Sequence, residues 1–155
     1  MVKSHEYYMS LALKQAEEAL LYDEVPIGAI IIKDGEIIAV ARNEREETNK
    51  ATAHAEIIAI EKANEKLKSW RLDTCTMYVT IEPCPMCAGA IIQSRIQNVI
   101  YGAKDLKAGS HESIVRLFDK SFNHKVNIIG GILEKECSEI LTNFFRNLRS
   151  KKSNI

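Results

Sequence analysis

The chain has 155 residues, 46% of them hydrophobic and 27% charged, proportions that suit one compact unit over 1–155 with a solvated surface. Its 21 Lys and Arg are matched by 21 Asp and Glu, so bulk charge does not draw it to a polyanion. Any nucleic-acid contact has to come from a local basic patch. No apolar run approaches a membrane span, the N-terminus shows no signal-like apolar stretch, and the four cysteines fit a reducing cytoplasm better than a disulfide scaffold.

Met9, Ala12, Leu13, Ala16 and Leu20 recur at helical spacing, with Lys14, Glu17 and Glu18 facing away, and predict an amphipathic first helix. Residues 27–32 read as a buried strand, Asp34-Gly35 as a tight turn, and 36–41 as a second strand returning antiparallel. Thr52 is placed to cap the helix that carries His54 and Glu56. Ile57, Ile58 and Ile60 leave that helix few polar faces, so a central position is expected. Residues 76–80 are a third strand, and Pro83 suits the first turn of the next helix. That helix joins the third strand to a fourth at 98–102, which predicts a parallel crossover. A fifth strand is expected at 126–129. The last helix, basic from about 134 to the chain end, carries Leu133, Cys137, Ile140, Leu141, Phe144 and Leu148 on one stripe. The fold class is α/β, a three-layer α/β/α sandwich around a central mixed five-stranded sheet.

Two clusters carry the chemistry. His54-Ala55-Glu56 and Pro83-Cys84-Pro85-Met86-Cys87 spell H-x-E…P-C-x-x-C. One imidazole and two thiols are the ligands of a catalytic zinc whose fourth position stays open to water, one ion per chain. Glu56 adds a carboxylate that can take the proton of water, deliver it to a ring nitrogen and help ammonia depart. Cys84 and Cys87, three apart at a helix start, share a face. His54 and Glu56, two apart, would point roughly 200° apart in mid-helix, so both can serve one metal only from a helix's first turn. Two helix N-termini would then face the ion and favour thiolates.

Other readings of these residues are weaker. Cys84 and Cys87 alone could be a redox pair, which leaves His54 and Glu56 unexplained. Cys75 or Cys137 as fourth ligand would close a structural site. Cys75 opens a strand, however, and Cys137 lies on the apolar stripe, both places for core residues. His5, His111 and His124 lack ligand spacing and read as surface or structural groups.

The paired clusters are the signature of the zinc nucleobase deaminases. Together with Val25-Pro26-Ile27-Gly28-Ala29, Ala41-Arg42-Asn43, Tyr101-Gly102-Ala103-Lys104-Asp105 and Phe144-Phe145-Arg146, they make the chain from about Glu6 to Arg149 resemble the bacterial tRNA-specific adenosine deaminases. Leu106 and Ser110-His111-Glu112 depart from that family's pattern. The resemblance implies a cytidine deaminase-like fold, Zn2+ on His54, Cys84 and Cys87, and Glu56 as the catalytic group. It implies substrate contacts from Ile27, Asn43, Ala55, Asp105, Phe145 and Arg149. It also implies a cytoplasmic homodimer that converts adenosine to inosine at the wobble position of a tRNA, arginine tRNA with an ACG anticodon, by gripping the anticodon stem-loop.

The residues themselves leave alternatives beside that picture. Asn43 suits an adenine edge or caps its own loop. Asp105 and Lys107 follow the fourth strand, at the end where α/β sheets present ligand contacts. Phe145 lies one turn from Arg149 and beside Arg146, Lys151 and Lys152, a set that suits an unstacked base and its phosphates or a solvated basic tail. A free-base or nucleoside deaminase of guanine or cytosine type is the alternative enzyme. A non-catalytic zinc-dependent RNA-binding module is the alternative of another class, and it gives Glu56 no task.

Overall fold

Along the central strands, side chains alternate between two apolar layers, as the pleat requires. The computed structural model describes residues 3–153. In chain order it has helix α1 (His5–Leu20), strands β1 (Gly28–Lys33) and β2 (Glu36–Arg42), a short helix α2 (Arg45–Thr48) and helix α3 (Ala55–Leu67). Strand β3 (Cys75–Ile81), helix α4 (Pro85–Gln93), strand β4 (Asn98–Ala103), a 3-10 turn at Leu117–Asp119, strand β5 (Asn127–Ile129) and helix α5 (Glu134–Ser153) follow. The ends of the expected 1–155 unit, residues 1–2 and 154–155, lie outside the described residues.

The five strands form one sheet in the order β2-β1-β3-β4-β5. β1 pairs antiparallel with both β2 and β3, while β3–β4 and β4–β5 are parallel, so the sheet is mixed, as predicted. Ile30, Ile32, Tyr78 and Ile100 face α1 and α5 with Tyr8, Met9, Ala12 and Cys137. Ala29, Ile31, Met77, Val79, Val99 and Tyr101 face α3 and α4 with Ala55, Ala59, Ala63, Ala88 and Ile91. The architecture is the expected three-layer sandwich with a cytidine deaminase-like arrangement. Asp34 (φ 52) and Gly35 (φ 79) make the left-handed hairpin turn between β1 and β2. Gly28 lets α1 sit on β1, because a Cβ there would lie 2.0 Å from the Ala12 carbonyl oxygen.

Several local expectations are corrected. Thr52 does not cap α3. His54 itself occupies the N-cap position with extended backbone, φ −77 and ψ 150, and no side-chain cap bond. Pro83 does not open α4. Pro85 is its first residue and Cys84 its N-cap, because proline's fixed φ suits the first helical position and pushes the residue before it into extended backbone. α3 is amphipathic: Ala55, Glu56, Ala59, Ile60 and Ala63 are buried, Ile57 and Ile58 are half-buried, and Glu61 and Lys62 face solvent. In α1, Ala19 is buried, whereas Leu20 is 39% exposed. Leu133 precedes α5 in left-handed backbone, φ 53. Along the stripe of α5 only Cys137 is fully buried, and Leu148 at the far end is exposed. The distal turns of α5 therefore leave much of their surface open to solvent. No helix among the described residues is long and apolar enough to cross a membrane.

Candidate metal centre and active site

The corrected helix starts bring the first cluster together. His54 at the N-cap of α3 and Cys84 at the N-cap of α4 both stand where chain enters helix, and Cys87 follows in the first turn of α4. His54 Nδ1 lies 3.6 Å from Cys84 Sγ and 3.4 Å from Cys87 Sγ. Among the described residues these three form the one group of ligand atoms within 4.8 Å of one another that could hold a metal ion. Zinc bonds of about 2.3 Å to sulfur and about 2.0 Å to nitrogen, set at a tetrahedral angle, place S and N about 3.5 Å apart. The donor set and its spacing fit such an ion.

Electrostatics hold a thiolate at Cys84. Cys84 is drawn down to about 4, first by a hydrogen bond from the Cys87 thiol and then by His54, against the cost of burial. Cys87 is pushed up because it donates to Cys84 and because it is buried. His54 is raised by its hydrogen bond with Cys84, despite burial. Two positive helix ends add to the thiolate preference. Glu56, 3% exposed, lies in the first turn of α3 rather than in the ligand cluster. Burial raises its carboxyl from 4.5 to about 7, with backbone hydrogen bonding and His54 opposing.

The other cysteines and histidines take the structural roles expected of them. Cys75 and Cys137 are fully buried in the two cores. His5 Nδ1 lies 2.7 Å from the Tyr78 hydroxyl, His111 Nδ1 lies 2.7 Å from the Tyr101 hydroxyl, and His124 Nε2 lies 2.7 Å from the Ile96 carbonyl oxygen.

A cleft of about 480 Å³ opens beside His54 and Cys84, and Ile27, Asn43, Ala55, Asp105, Phe145 and Arg149 all line it. Every contact residue expected from the sequence therefore faces one cavity. Asn43 is 4% exposed and also braces its loop: its amide donates to the Val25 carbonyl at 3.4 Å and its Oδ1 accepts from Arg45 N–H at 3.3 Å. From α5, Leu141, Phe145 and Arg149, spaced at successive turns, reach the cleft, whereas Arg146, Lys151 and Lys152 do not. Lys151 borders a separate groove with Leu20 and Asp23. The basic segment is thus split between two faces of one helix.

Arg45 and Ile81 line the cleft without having stood out in the sequence. Two buried carboxylates behind its walls were also missed. Glu24 is fully buried and accepts from Glu46 N–H at 3.1 Å and Glu47 N–H at 2.8 Å, fixing the start of α2 next to Arg45. Glu82 is 1% exposed at the end of β3. Burial would raise its pKa, but hydrogen bonds from the Ser113 hydroxyl and the backbone N–H groups of Glu112, Asp105 and Ser113 outweigh that and hold it at about 2. An acid at the end of an apolar strand reads in sequence as the point where the strand meets solvent.

The low pKa of Glu82 has a stability consequence. Relative to 4.5 for free glutamate, its stabilisation is complete above about pH 4.5 and is lost as pH falls toward about 2. The full contribution is on the order of 3 kcal/mol. Denaturant unfolding in chelator, run from pH 6 to pH 3, should show the wild type losing its advantage over Glu82→Gln as pH falls. Parallel curves would mean that Glu82 is not a buried charge.

A family model described as MafB19-like deaminase matches residues 3–149. The chain belongs to this deaminase family. A tRNA-specific adenosine deaminase of Bacillus subtilis (strain 168) is 47% identical over 148 residues, covering 95% of this chain and 92% of the relative. A solved structure from work on A-to-I editing by tRNA A34 deaminases at the wobble position of transfer RNA has a TM-score of 0.85 at 46% identity, covering 87% of this chain and 99% of that one. A guanine deaminase from Bacillus subtilis is similar at a TM-score of 0.63 and 32% identity, covering 78% of this chain and 88% of that one. This deaminase therefore shares its fold with enzymes that act on bases in RNA and on free bases.

Proposed function

We propose that this deaminase binds one zinc through His54, Cys84 and Cys87 and converts adenosine to inosine at the wobble position of a tRNA. Arginine tRNA with an ACG anticodon is its substrate. The observation that carries this reading is the cleft itself. It places Arg45, Lys107 and Arg149 and the 40% exposed ring of Phe145 around the metal-side groups His54 and Cys84. In a chain with no net charge, that is a local basic rim with a stacking surface. A free base carries no phosphates for such a rim to meet, so guanine or cytosine deamination leaves it unused. Substrate of this kind places the reaction in the cytoplasm, and sedimentation velocity tests the homodimer.

Bound zinc supplies Lewis acidity, which lowers the pKa of a water from about 15.7 toward about 7. Glu56 would take one proton from the attacking water and hand it to a ring nitrogen of adenine, then carry the second, from the hydroxyl newly formed on the ring carbon, to the amine, which departs as ammonia and leaves the carbonyl of inosine. Asn43 meets polar atoms of the target nucleotide, and Ile27 and Ala55 flank the base. Asp105 contacts the RNA beside it. Phe145 stacks on a neighbouring base, and Arg149 meets phosphate. An anticodon base is already unpaired, so drawing it into the cleft costs less than extraction from a duplex.

The test is ammonia release and inosine mapping on the arginine anticodon stem-loop, with adenosine, guanine and cytidine as comparators. Turnover of a free base or nucleoside in preference to the stem-loop would replace this reading with the free-base one. Stem-loop binding without ammonia release would make the protein a binding module.

The split of α5 gives a sharper expectation. Phe145→Ala should raise the stem-loop Kd by roughly tenfold or more, and Arg149→Gln should reduce the salt slope of binding. Arg146→Gln and Lys151→Gln should leave both close to wild type. Equal losses from all four substitutions would indicate a diffuse basic tail instead of a built wall.

A further inference from the structure

Glu82 is a buried charge with no part in the chemistry above, and its hydrogen bonds all reach one segment. Oε1 accepts from Asp105 N–H at 3.1 Å and from the Ser113 hydroxyl at 2.6 Å. Oε2 accepts from the consecutive N–H groups of His111, Glu112 and Ser113 at 2.9, 3.0 and 3.2 Å. Successive N–H groups converging in this way make an anion-binding concavity, filled here by the protein's own carboxylate. Oε1 bridges the two ends of the loop at 105–113, and Oε2 gathers its 111–113 end. Gly109 passes so close that a Cβ would lie 2.3 Å from the Glu82 carboxyl carbon.

That loop is part of the cleft wall, through Asp105, Lys107 and Ala108. Asp105 Oδ1 accepts from the N–H groups of Lys107 and Ala108, both at 3.1 Å, so its orientation follows the backbone that Glu82 grips. The loop is also fastened to the peptide before Cys84: the Ser110 hydroxyl and N–H donate to the Pro83 carbonyl oxygen at 2.6 and 2.9 Å. Left unfastened, a closed loop of this length would sample many conformations.

We propose that Glu82 is a positioning residue for RNA binding: its buried carboxylate closes the 105–113 loop so that Asp105 and Lys107 present one fixed surface to the anticodon stem-loop. The proposal rests on the tRNA reading of the cleft and assigns the wall to a group that touches no substrate. Glutamine keeps the size of Glu82 but turns an NH2 toward N–H donors, so Glu82→Gln loosens the loop while leaving His54, Cys84 and Cys87 in place.

The experiment uses zinc-loaded protein and the arginine anticodon stem-loop. Glu82→Gln should keep wild-type zinc content and raise KM about tenfold, with a smaller change in kcat. In a background of Asp105→Ala with Lys107→Ala, the same substitution should add less than about twofold, because the groups it positions are gone. Ser113→Ala, which removes only the hydroxyl bond to Oε1, should move KM in the same direction by a few-fold, and it decides the matter if Glu82→Gln fails to fold. Unchanged KM in these variants, or a full additional loss in the double-substituted background, would overturn the positioning role while leaving the tRNA reading intact. Wild-type protein that does not bind the stem-loop would overturn the tRNA reading, and this role with it.

Discussion

Glu56→Ala is expected to hold metal at the wild-type level and to lose deamination of the anticodon stem-loop by about 10²–10⁴-fold or more. The separation of the two effects follows from the geometry. The atoms that could hold an ion belong to His54, Cys84 and Cys87, and Glu56 stands outside that group in the first turn of α3. Burial brings its carboxyl to about 7, where a group both accepts and donates a proton readily near neutrality. The same burial is costly to the fold. A carboxyl whose folded pKa lies above 4.5 weakens the protein as pH rises from about 4.5 through about 7. Metal-free Glu56→Gln should therefore melt at a higher temperature than the wild type at pH 8. Elemental analysis, inosine formation and thermal unfolding on the same samples check all of this. Retained activity would remove Glu56 from proton transfer, and stoichiometric metal loss would make it a ligand.

The division between what the sequence disclosed and what it withheld has physical causes. The strands were legible because Ala29 to Ile32 and Met77 to Val79 are apolar on both sides of the pleat and end at turn residues such as Asp34-Gly35. The cluster of His54, Cys84 and Cys87 that could hold a metal ion was legible because its side-chain chemistry is rare and its spacing is tied to helix starts. The starts themselves were misplaced by two residues. In Pro83-Cys84-Pro85, either proline suits a first turn, but Pro85 keeps Cys84 in extended backbone, so the helix begins at Pro85. Thr52 is a better intrinsic cap than His54, yet His54 takes the cap position with its side chain turned toward the thiols instead of its own backbone. There the site overrides local propensity.

Glu24 and Glu82 were invisible for a different reason. A charged residue declares burial only when its partners are known, and theirs are backbone N–H groups distant in sequence. The stripe of α5 misled in the opposite direction. Apolar periodicity marks a face, but it does not say whether that face meets the sheet, as at Cys137, or a ligand cleft, as at Leu141 and Phe145.

Removing the metal should abolish stem-loop deamination and lower thermal stability together, and both should return when zinc is restored. Without an ion, the helix ends converge on a Cys84 thiolate held near 4, a Cys87 thiol that must donate to it, and a His54 with raised proton affinity. A ligand that binds only the folded chain stabilises it by about 4 kcal/mol when present at a thousand times its Kd, so Tm should fall on chelation and rise with zinc concentration. Cys87→Ser should reproduce the chelated state, because a buried hydroxyl replaces a thiolate ligand. Cys137→Ser is the counterpart that separates metal loss from core damage. Its sulfur is buried against Gly102 in the opposite layer, so it should lower Tm while zinc content and kcat stay near wild type. Chelated protein that still deaminates the stem-loop at full rate would end the zinc reading. Equal metal loss in Cys137→Ser and Cys87→Ser would mean that the centre senses the whole fold rather than its three ligands.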